Sequence, residues 1–451
     1  MNADFLLIGD TAKELYQKYA SKLPIIDYHN HLSLTDLKAD TRFTDIYELW
    51  IKPDPYKHRA MRMCGVPEQF ITGDSDFEAK FKAWCTIFPD LLGNPLYHWS
   101  LAELQTVFGI AEIPSAENAD ELYRALNRHL SENKLTPKVL LDKFNVELAC
   151  PCASLSDELD FFEGNQRLAP SLRGDNIVAP SAEFVKKLSA ITKIPVNSIE
   201  DYKAAVSKRL DDFEKVGCRY TDHALDNGFT FFEDDGKNSQ RFDMLLNGTL
   251  SANDMDRLAS CLLVFLGAEY AKRNLTMQLH IGARRYTSSR LRSLAGAAGG
   301  YAAIGNSVDV KSLTSFLDAL EQTEYGLPKT VLFTLNPADN ALISALSGSY
   351  SKDGARGLIT QGPAWWWCDH KPGITDMLEN TSVFSLLSNF VGMTTDSRSF
   401  LSFVRHDYFR RVLCSWIAKK TSDGDLPNDE AILGRLIQKL CFKNAKETVK
   451  E

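Results

Sequence analysis

At 451 residues the chain is too long for one minimal core and has room for a large barrel with an insertion, or for several smaller domains. Its 44% hydrophobic and 24% charged content is that of a globular protein, no apolar run approaches the roughly 20 residues that cross a bilayer, and a net charge of -8 argues against a nucleic-acid binder. Nine cysteines without a repeating spacing point to reduced thiols, and Met1 to Asp10 shows no secretory pattern, so the expected compartment is the cytoplasm.

The first predicted strand, Pro24 to His29, is an apolar run that breaks into His29-Asn30-His31. Residues i and i+2 of a strand share a face, so both imidazoles can converge on one point, and imidazole is a common zinc ligand. From Leu34 to Leu135 the apolar spacing of three and four predicts helices at Asp45–Trp50, Asp76–Ile87, Leu101–Phe108 and Ala119–Glu132, a helical insertion after the first strand. Further helices are expected over Ile199–Val216 and Asp254–Arg273. Cys150-Pro151-Cys152 lacks the second pair of a structural zinc site, and Arg405, Arg410 and Arg411 read as a helix face beside acidic neighbours.

Eight short apolar runs can be counted: Pro24–His29, Val146–Pro151, Leu168–Leu172, Arg219–Asp222, Thr276–Ile281, Thr330–Leu335, Gly357–Gln361 and Phe390–Thr395. Most alternate with helical segments, which implies a parallel sheet and, with eight strands, a (β/α)8 TIM barrel; a doubly wound open sheet is the competing arrangement. The expected division is 1–33 for the N-terminal helix and first strand, 34–135 for the helical insertion, and 136–451 for the rest of the barrel.

Chemistry-bearing residues stand at the ends of these runs: His29 and His31, Arg173, Asp222 and His223, His280, Asn336, Trp365 and Trp366, then Asp396 and Arg398. In a barrel those ends form the rim that carries catalysis. His29, His31 and Asp396 make an N2O set with open positions, the pattern of a catalytic metal, and zinc is the expected single divalent ion. The competing role for Asp396 is the N-cap of a helix over Phe400–Trp416. Arg173, Arg285 and Arg398 are candidates to hold an anionic substrate, against the ordinary role of a surface ion pair. His280 is either a site residue or a satisfied core histidine, and Trp365 to Trp367 are either packing or the floor of a sugar site.

The stretches Leu23–His31, Tyr56–Arg62, Leu279–Ala283, Leu335–Asn340 and Gly392–Ser402, the last continuing through Arg405–Cys414, resemble the uronate isomerase (glucuronate isomerase) family of the amidohydrolase superfamily. The resemblance implies a (β/α)8 barrel with a helical insert, a metal on His29, His31 and Asp396, and substrate contacts from Tyr56, Arg173, Asp222, His280, Arg285, Trp365 and Arg398. Tyr56, on the insertion, is expected to help close the site. The implied reaction is aldose to ketose isomerisation of D-glucuronate or D-galacturonate through an enediol, with His280, Tyr56 and Asp396 as candidates for proton transfer, Asp222 as a further catalytic residue, Arg173 for the uronate carboxylate, and Arg285 and Arg398 for support of hydroxyl or enediolate oxygens. The implied partner is a small uronic acid; no nucleic acid or membrane is expected, and a homo-oligomer is the one protein assembly considered. The chain departs from the family at Pro55, where histidine is usual, at Tyr286-Thr287-Ser288, and at Cys152-Ala153-Ser154 in place of Thr-Asp-Asp. A metal-dependent hydrolase on the same barrel and a sugar-acid binding protein without catalysis are the alternatives.

Overall fold

The structure, a computed structural model, describes residues 4–450; Met1 to Ala3 of the N-terminal segment read above lie outside the described residues, as does Glu451. The chain divides into two compact units. Unit 1 comprises Met1–Glu147, Arg284–Ala303 and Met393–Phe442, and unit 2 comprises Leu148–Ala283, Ile304–Gly392 and Lys443–Glu451.

The strands are β1 (Ile25–Asn30), β2 (Val146–Ser154), β3 (Ser171–Arg173), β4 (Tyr220–Leu225), β5 (Thr276–Ile281), two short ones, β6 (Ala283–Arg284) and β7 (Ala303–Ile304), then β8 (Thr330–Thr334) and β9 (Ile359–Gln361). Seven of them form one sheet in the order β1-β2-β3-β4-β5-β8-β9, and β6 pairs with β7 in a second. From β2 to β9 the pairings are parallel, as the alternation with helices requires. β1 and β5 are buried along their whole length, which explains why these segments read as apolar runs and not as alternating ones. The fold is of the expected barrel class, with a helical insertion after β1.

Several of the predicted runs differ from the strands that form: the second continues to Ser154, so Cys152-Ala153-Ser154 lie inside it, and the seventh begins only at Ile359. The third strand begins only at Ser171, because Pro170 has no N–H to give a ladder; Leu168 makes a single isolated bridge to Ala149. The fourth continues to Leu225, so Asp222 and His223 lie inside it, on opposite faces. The eighth run, Phe390–Thr395, is not a regular strand at all. In unit 1 its end is joined to β1 by a mixed ladder: Asp396 N–H donates to His29 O (3.1 Å), His31 N–H to Ser397 O (2.9 Å), and His29 N–H to the Thr394 hydroxyl (2.9 Å). A side-chain oxygen occupies the place of a backbone carbonyl there, which breaks the regular pattern.

Between Leu34 and Lys143 the regular elements are all helical among the described residues, including Ile46–Trp50, Pro55–Met63, Phe77–Ile87, Pro95–Glu103 and Ala119–Asn133. The signals are local. Asp76 accepts from Ala79 N–H, Asp54 from Tyr56 N–H, and Asn94 from Leu96 N–H ahead of Pro95, which moves the start of the helix expected at Leu101 back to Pro95. Their apolar faces meet around Trp50, Phe81 and Trp84, all fully buried. In unit 2 the strands alternate with longer helices such as Ile199–Lys215 and Ala252–Lys272, each capped by a serine. No helix among the described residues is long and apolar enough to cross a membrane.

Candidate active site

β1 delivers two imidazoles to one carboxylate in unit 1. His29 Nε2 lies 3.1 Å and His31 Nε2 3.0 Å from the same oxygen, Oδ1 of Asp396, with the two rings 5.3 Å apart and nearly perpendicular. His29 is buried, and the side chains of His31 and Asp396 are only 16% and 14% exposed, so the three atoms face one another largely out of water. Asp396 has φ of 47°, the left-handed region that Asp tolerates better than most residues. It is not a helix cap: Ser399 accepts from Leu401 N–H and caps the short Phe400–Phe403 turn that leads into the helix Val404–Asp423. Burial pushes the Asp396 carboxyl up, but the hydrogen bonds and charges of His29 and His31 outweigh it and hold the group well below the usual carboxylate range.

This donor set fits a divalent cation. Two ligand atoms each about 2.0–2.2 Å from a shared zinc stand roughly 2.8–3.6 Å apart for angles between square and tetrahedral. The observed 3.0 and 3.1 Å fall in that interval, and two imidazole nitrogens with one carboxylate oxygen suit zinc while leaving positions for water or substrate.

A second carboxylate, absent from the sequence-based candidates, holds the arrangement together. Asp27, two residues before His29 and fully buried, accepts from Thr395 N–H (2.7 Å), Thr395 Oγ1 (2.8 Å), Thr394 Oγ1 (2.9 Å), Asn30 Nδ2 (3.0 Å) and His406 Nε2 (3.1 Å). It bolts β1 to the residues immediately before Asp396 and to the helix after it. Burial lowers the His406 pKa, with Asp27 opposing. The available signal was an aspartate in the middle of an apolar strand, since an unpaired charge is not tolerated there.

Tyr56 lies on the helix Pro55–Met63, whose cap Asp54 also bonds Lys57 Nζ (2.9 Å). Pro55, the departure from the family pattern, occupies the first helical position, where a missing N–H costs nothing. Arg405 is almost fully buried, with its guanidinium 4.9 Å from the Tyr56 ring and 4.2 Å from that of Trp99. Arg410 donates to the carbonyls of Leu23 and Pro24 ahead of β1, and Arg411 to Asp407, so this basic cluster is a packed helix face. Arg285 is half-buried and Arg398 is exposed.

In unit 2, Arg173 at the end of β3 is in register with Asp222 of β4, and Ala224 with His280 of β5. Arg173 also bonds Asp175 (3.0 Å), and Cys152 Sγ lies 3.6 Å from Asp222 Oδ1. Burial opposes the charge of Arg173, but Asp222 and Asp175 outweigh it and raise its pKa. His280 is buried, its ring 4.4 Å from Phe333 and 4.7 Å from Trp365, and Trp366 packs on Trp365 at 5.7 Å. His223 does not belong with these groups. It faces the other side of β4, bonds Tyr270 OH (3.0 Å), and burial lowers its pKa to about 4. Gly174 is required beside it, because a Cβ there would fall 2.0 Å from the His223 ring. Asn336 likewise serves structure, accepting from Ala338 N–H at the cap of a short turn.

Comparison with known proteins follows the same lines. The profile of the glucuronate isomerase family matches residues 1–449. The uronate isomerase of Caldanaerobacter subterraneus is 38% identical over 461 residues, covering 99% of this chain and 98% of the relative, and that of Haemophilus influenzae is 38% identical over 464 residues, covering 100% and 99%. Among solved structures, the uronate isomerase from Thermotoga maritima has a TM-score of 0.92 at 27% identity, with 99% of each chain covered. The glucuronate isomerase from Caulobacter crescentus has a TM-score of 0.91 at 23% identity, which shows a shared fold. With the profile spanning almost every residue and over a third of positions identical to curated relatives along the full length, the chain belongs to the glucuronate isomerase family.

Proposed function

We propose that the protein is an aldose–ketose isomerase that interconverts D-glucuronate and D-fructuronate, and D-galacturonate and D-tagaturonate. Beside family membership, the observation that carries the reading is the convergence of His29 Nε2 and His31 Nε2 on Asp396 Oδ1 at the end of β1. The reaction breaks the C–H bond next to the aldehyde, forms one at the former aldehyde carbon, and moves a hydroxyl proton between the two oxygens. It needs a base, an acid and positive charge near the oxygens of the enediolate. A divalent ion on His29, His31 and Asp396, zinc by the donor set, supplies Lewis-acid polarisation of substrate oxygens.

The chain's own residues supply the rest. Asp396, Tyr56, His280 and Asp222 are the groups we assign to proton transfer. Arg173 pairs with the uronate carboxylate, Arg285 and Arg398 support hydroxyl or enediolate oxygens, and Trp365 and Trp366 offer ring faces to the sugar. A planar guanidinium suits a carboxylate because it gives two parallel hydrogen bonds as well as charge. We assign 34–135 as the helical insertion that brings Tyr56 to the site, and the cytoplasm as the compartment, in keeping with nine cysteines free of disulfides.

The test is turnover of D-glucuronate and D-galacturonate in an assay coupled to reduction of the ketose, run beside a panel of esters and amides and with metal analysis of the purified protein. Ketose formation with about one equivalent of metal is the expected outcome. Hydrolysis of the panel without ketose would replace the reading by a hydrolase, and uronate binding without any product by a binding protein.

A further inference from the structure

Parallel barrels fill their interior with branched apolar side chains, yet one row of unit 2 is polar at every position but Val331. The strand register runs Arg173, Asp222, Gln278, Val331, Thr360 across β3, β4, β5, β8 and β9. Register partners on neighbouring strands point to the same face, about 4.8 Å apart. Gln278 therefore stands beside Asp222 and, by the period of two, one step before His280 on the same face of β5. Gln278 is fully buried, and neither its amide nitrogen nor its amide oxygen has a hydrogen-bond partner in the protein. Thr360 Oγ1 on the same row is equally buried and unpartnered, as is Ser171 Oγ, two residues before Arg173 on the same face of β3.

Gln361 on the opposite face provides a contrast. Its amide nitrogen donates to Asn340 Oδ1 (2.7 Å), and its oxygen accepts from Ser344 Oγ and Thr381 Oγ1. A glutamine that meets helices is satisfied by them, whereas Gln278, on the strand face that carries Asp222 and Val331 in register, has no such partner. A primary amide offers two donors and an oxygen with two lone pairs. Buried polar atoms of native proteins find a partner in protein or in ordered water, and an internal water typically makes about three such bonds. An apolar side chain of similar volume would complete the layer with no such demand.

We propose that the Gln278 amide holds ordered water inside this row, and that the water hydrogen-bonds the Asp222 carboxylate and fixes its orientation. Gln278 is thus a positioning residue that acts on Asp222 through solvent. The effect on turnover rests on the isomerase reading given above; the presence of the water does not.

Crystal structures of the metal-loaded protein and of Gln278→Met, at a resolution that shows ordered solvent, make the first test. Solvent density bonded to the amide is expected in the unmodified protein and lost in the variant; a dry space around Gln278 would overturn the proposal. Thermal melts make the second. Methionine should give no gain in Tm, because it displaces a bonded water, whereas a clear rise in Tm would mean that the amide is merely frustrated. In kinetics, Gln278→Met should lower kcat roughly 10-fold or more, the scale of a hydrogen bond to a charged group, with KM and metal content unchanged. Gln278→Asn keeps the amide and makes room for a further water, so it should retain more activity than Gln278→Met and serves where the methionine variant does not fold. The loss should vanish when Gln278→Met is placed in Asp222→Asn; a loss of the same size in that background would refute action through Asp222. No turnover of either uronate by the unmodified protein would defeat the isomerase reading alone, since the solvent density and the melts still decide the water.

Discussion

Asp27→Asn is the perturbation that probes the site through its support and not through its ligands. The carboxylate accepts five hydrogen bonds from Thr394, Thr395, Asn30 and His406 with no exposure to solvent. An asparagine keeps the shape but turns one acceptor atom into a donor. With the amide nitrogen in the place of Oδ2, the Thr395 hydroxyl can rotate to accept, but the Asn30 amide faces another NH2 and its bond is lost. A buried donor left without a partner costs about 1–3 kcal/mol, and the remaining bonds fall from the charge-assisted to the neutral range. Against this stands relief from burying a charge, so the net destabilisation should be about 2–5 kcal/mol. Because the weakened bonds to Thr394 and Thr395 hold the two residues before Asp396, metal affinity should also fall about 10–100-fold, the usual effect of loosening the support of a ligand. Competition with a chromogenic chelator measures the affinity, and melts with and without zinc measure the stability. An unchanged affinity together with an unchanged Tm would refute the view that Asp27 holds the metal set in place.

Three further outcomes are expected. The double variant His29→Ala, His31→Ala should lose its metal while remaining folded, so full occupancy by metal analysis would defeat the assignment of those ligands. Arg173→Lys should raise KM for uronates and lower kcat/KM roughly 10- to 150-fold with metal content intact, while a neutral aldose is turned over nearly as before; equal losses on both substrates would make Arg173 a structural residue. Stability should fall with acid between about pH 6.5 and pH 4: the unfolded chain takes up a proton on His223 across that window and the folded one, with this pKa lowered to about 4 by burial, does not, a difference of about 3 kcal/mol. His223→Gln should flatten that part of the profile, and an unaltered acid limb would show that His223 does not govern it.

The barrel class was legible because parallel strands buried on both faces leave apolar runs that stand out between helices, as at Thr276–Ile281, which forms β5 without a shift. The metal candidates were legible for a simpler reason, since a period of two puts His29 and His31 on one side. What escaped was set by other causes. Pro170 shortens β3 by removing a donor, and Thr394 lends a hydroxyl to the ladder of β1, so the eighth run reads as a strand and does not form one. Arg405 looked like a surface charge because nothing in its own segment shows that Tyr56 and Trp99, some 300 residues earlier, cover its guanidinium. Asp27 escaped because the first run was read for its two imidazoles, and nothing in that segment shows that Thr394, Thr395 and His406 bond its carboxylate.

The irregular eighth position and the placement of the metal carboxylate have one origin. In a regular parallel ladder, His29 N–H would meet a backbone carbonyl, and the partner chain would continue extended past it with its side chains alternating. Here the Thr394 hydroxyl takes that N–H and lies 2.7 Å from His29 O, while Asp27 takes Thr395 N–H. The backbone is thereby released from the strand conformation at the next residue, and Asp396 enters the left-handed region with its own N–H on His29 O (3.1 Å). The backbone of Asp396 is thus bonded to the same residue whose ring its side chain meets, so ligand spacing is set by a main-chain hydrogen bond and not by flexible side chains alone. A regular strand pairing here would bury the same chain more regularly but would remove the left-handed step on which the present placement of the carboxylate depends. The sheet gives up one regular strand there, and the compensation is a carboxylate fixed to about the precision of the backbone, which is what a catalytic metal centre requires of its support.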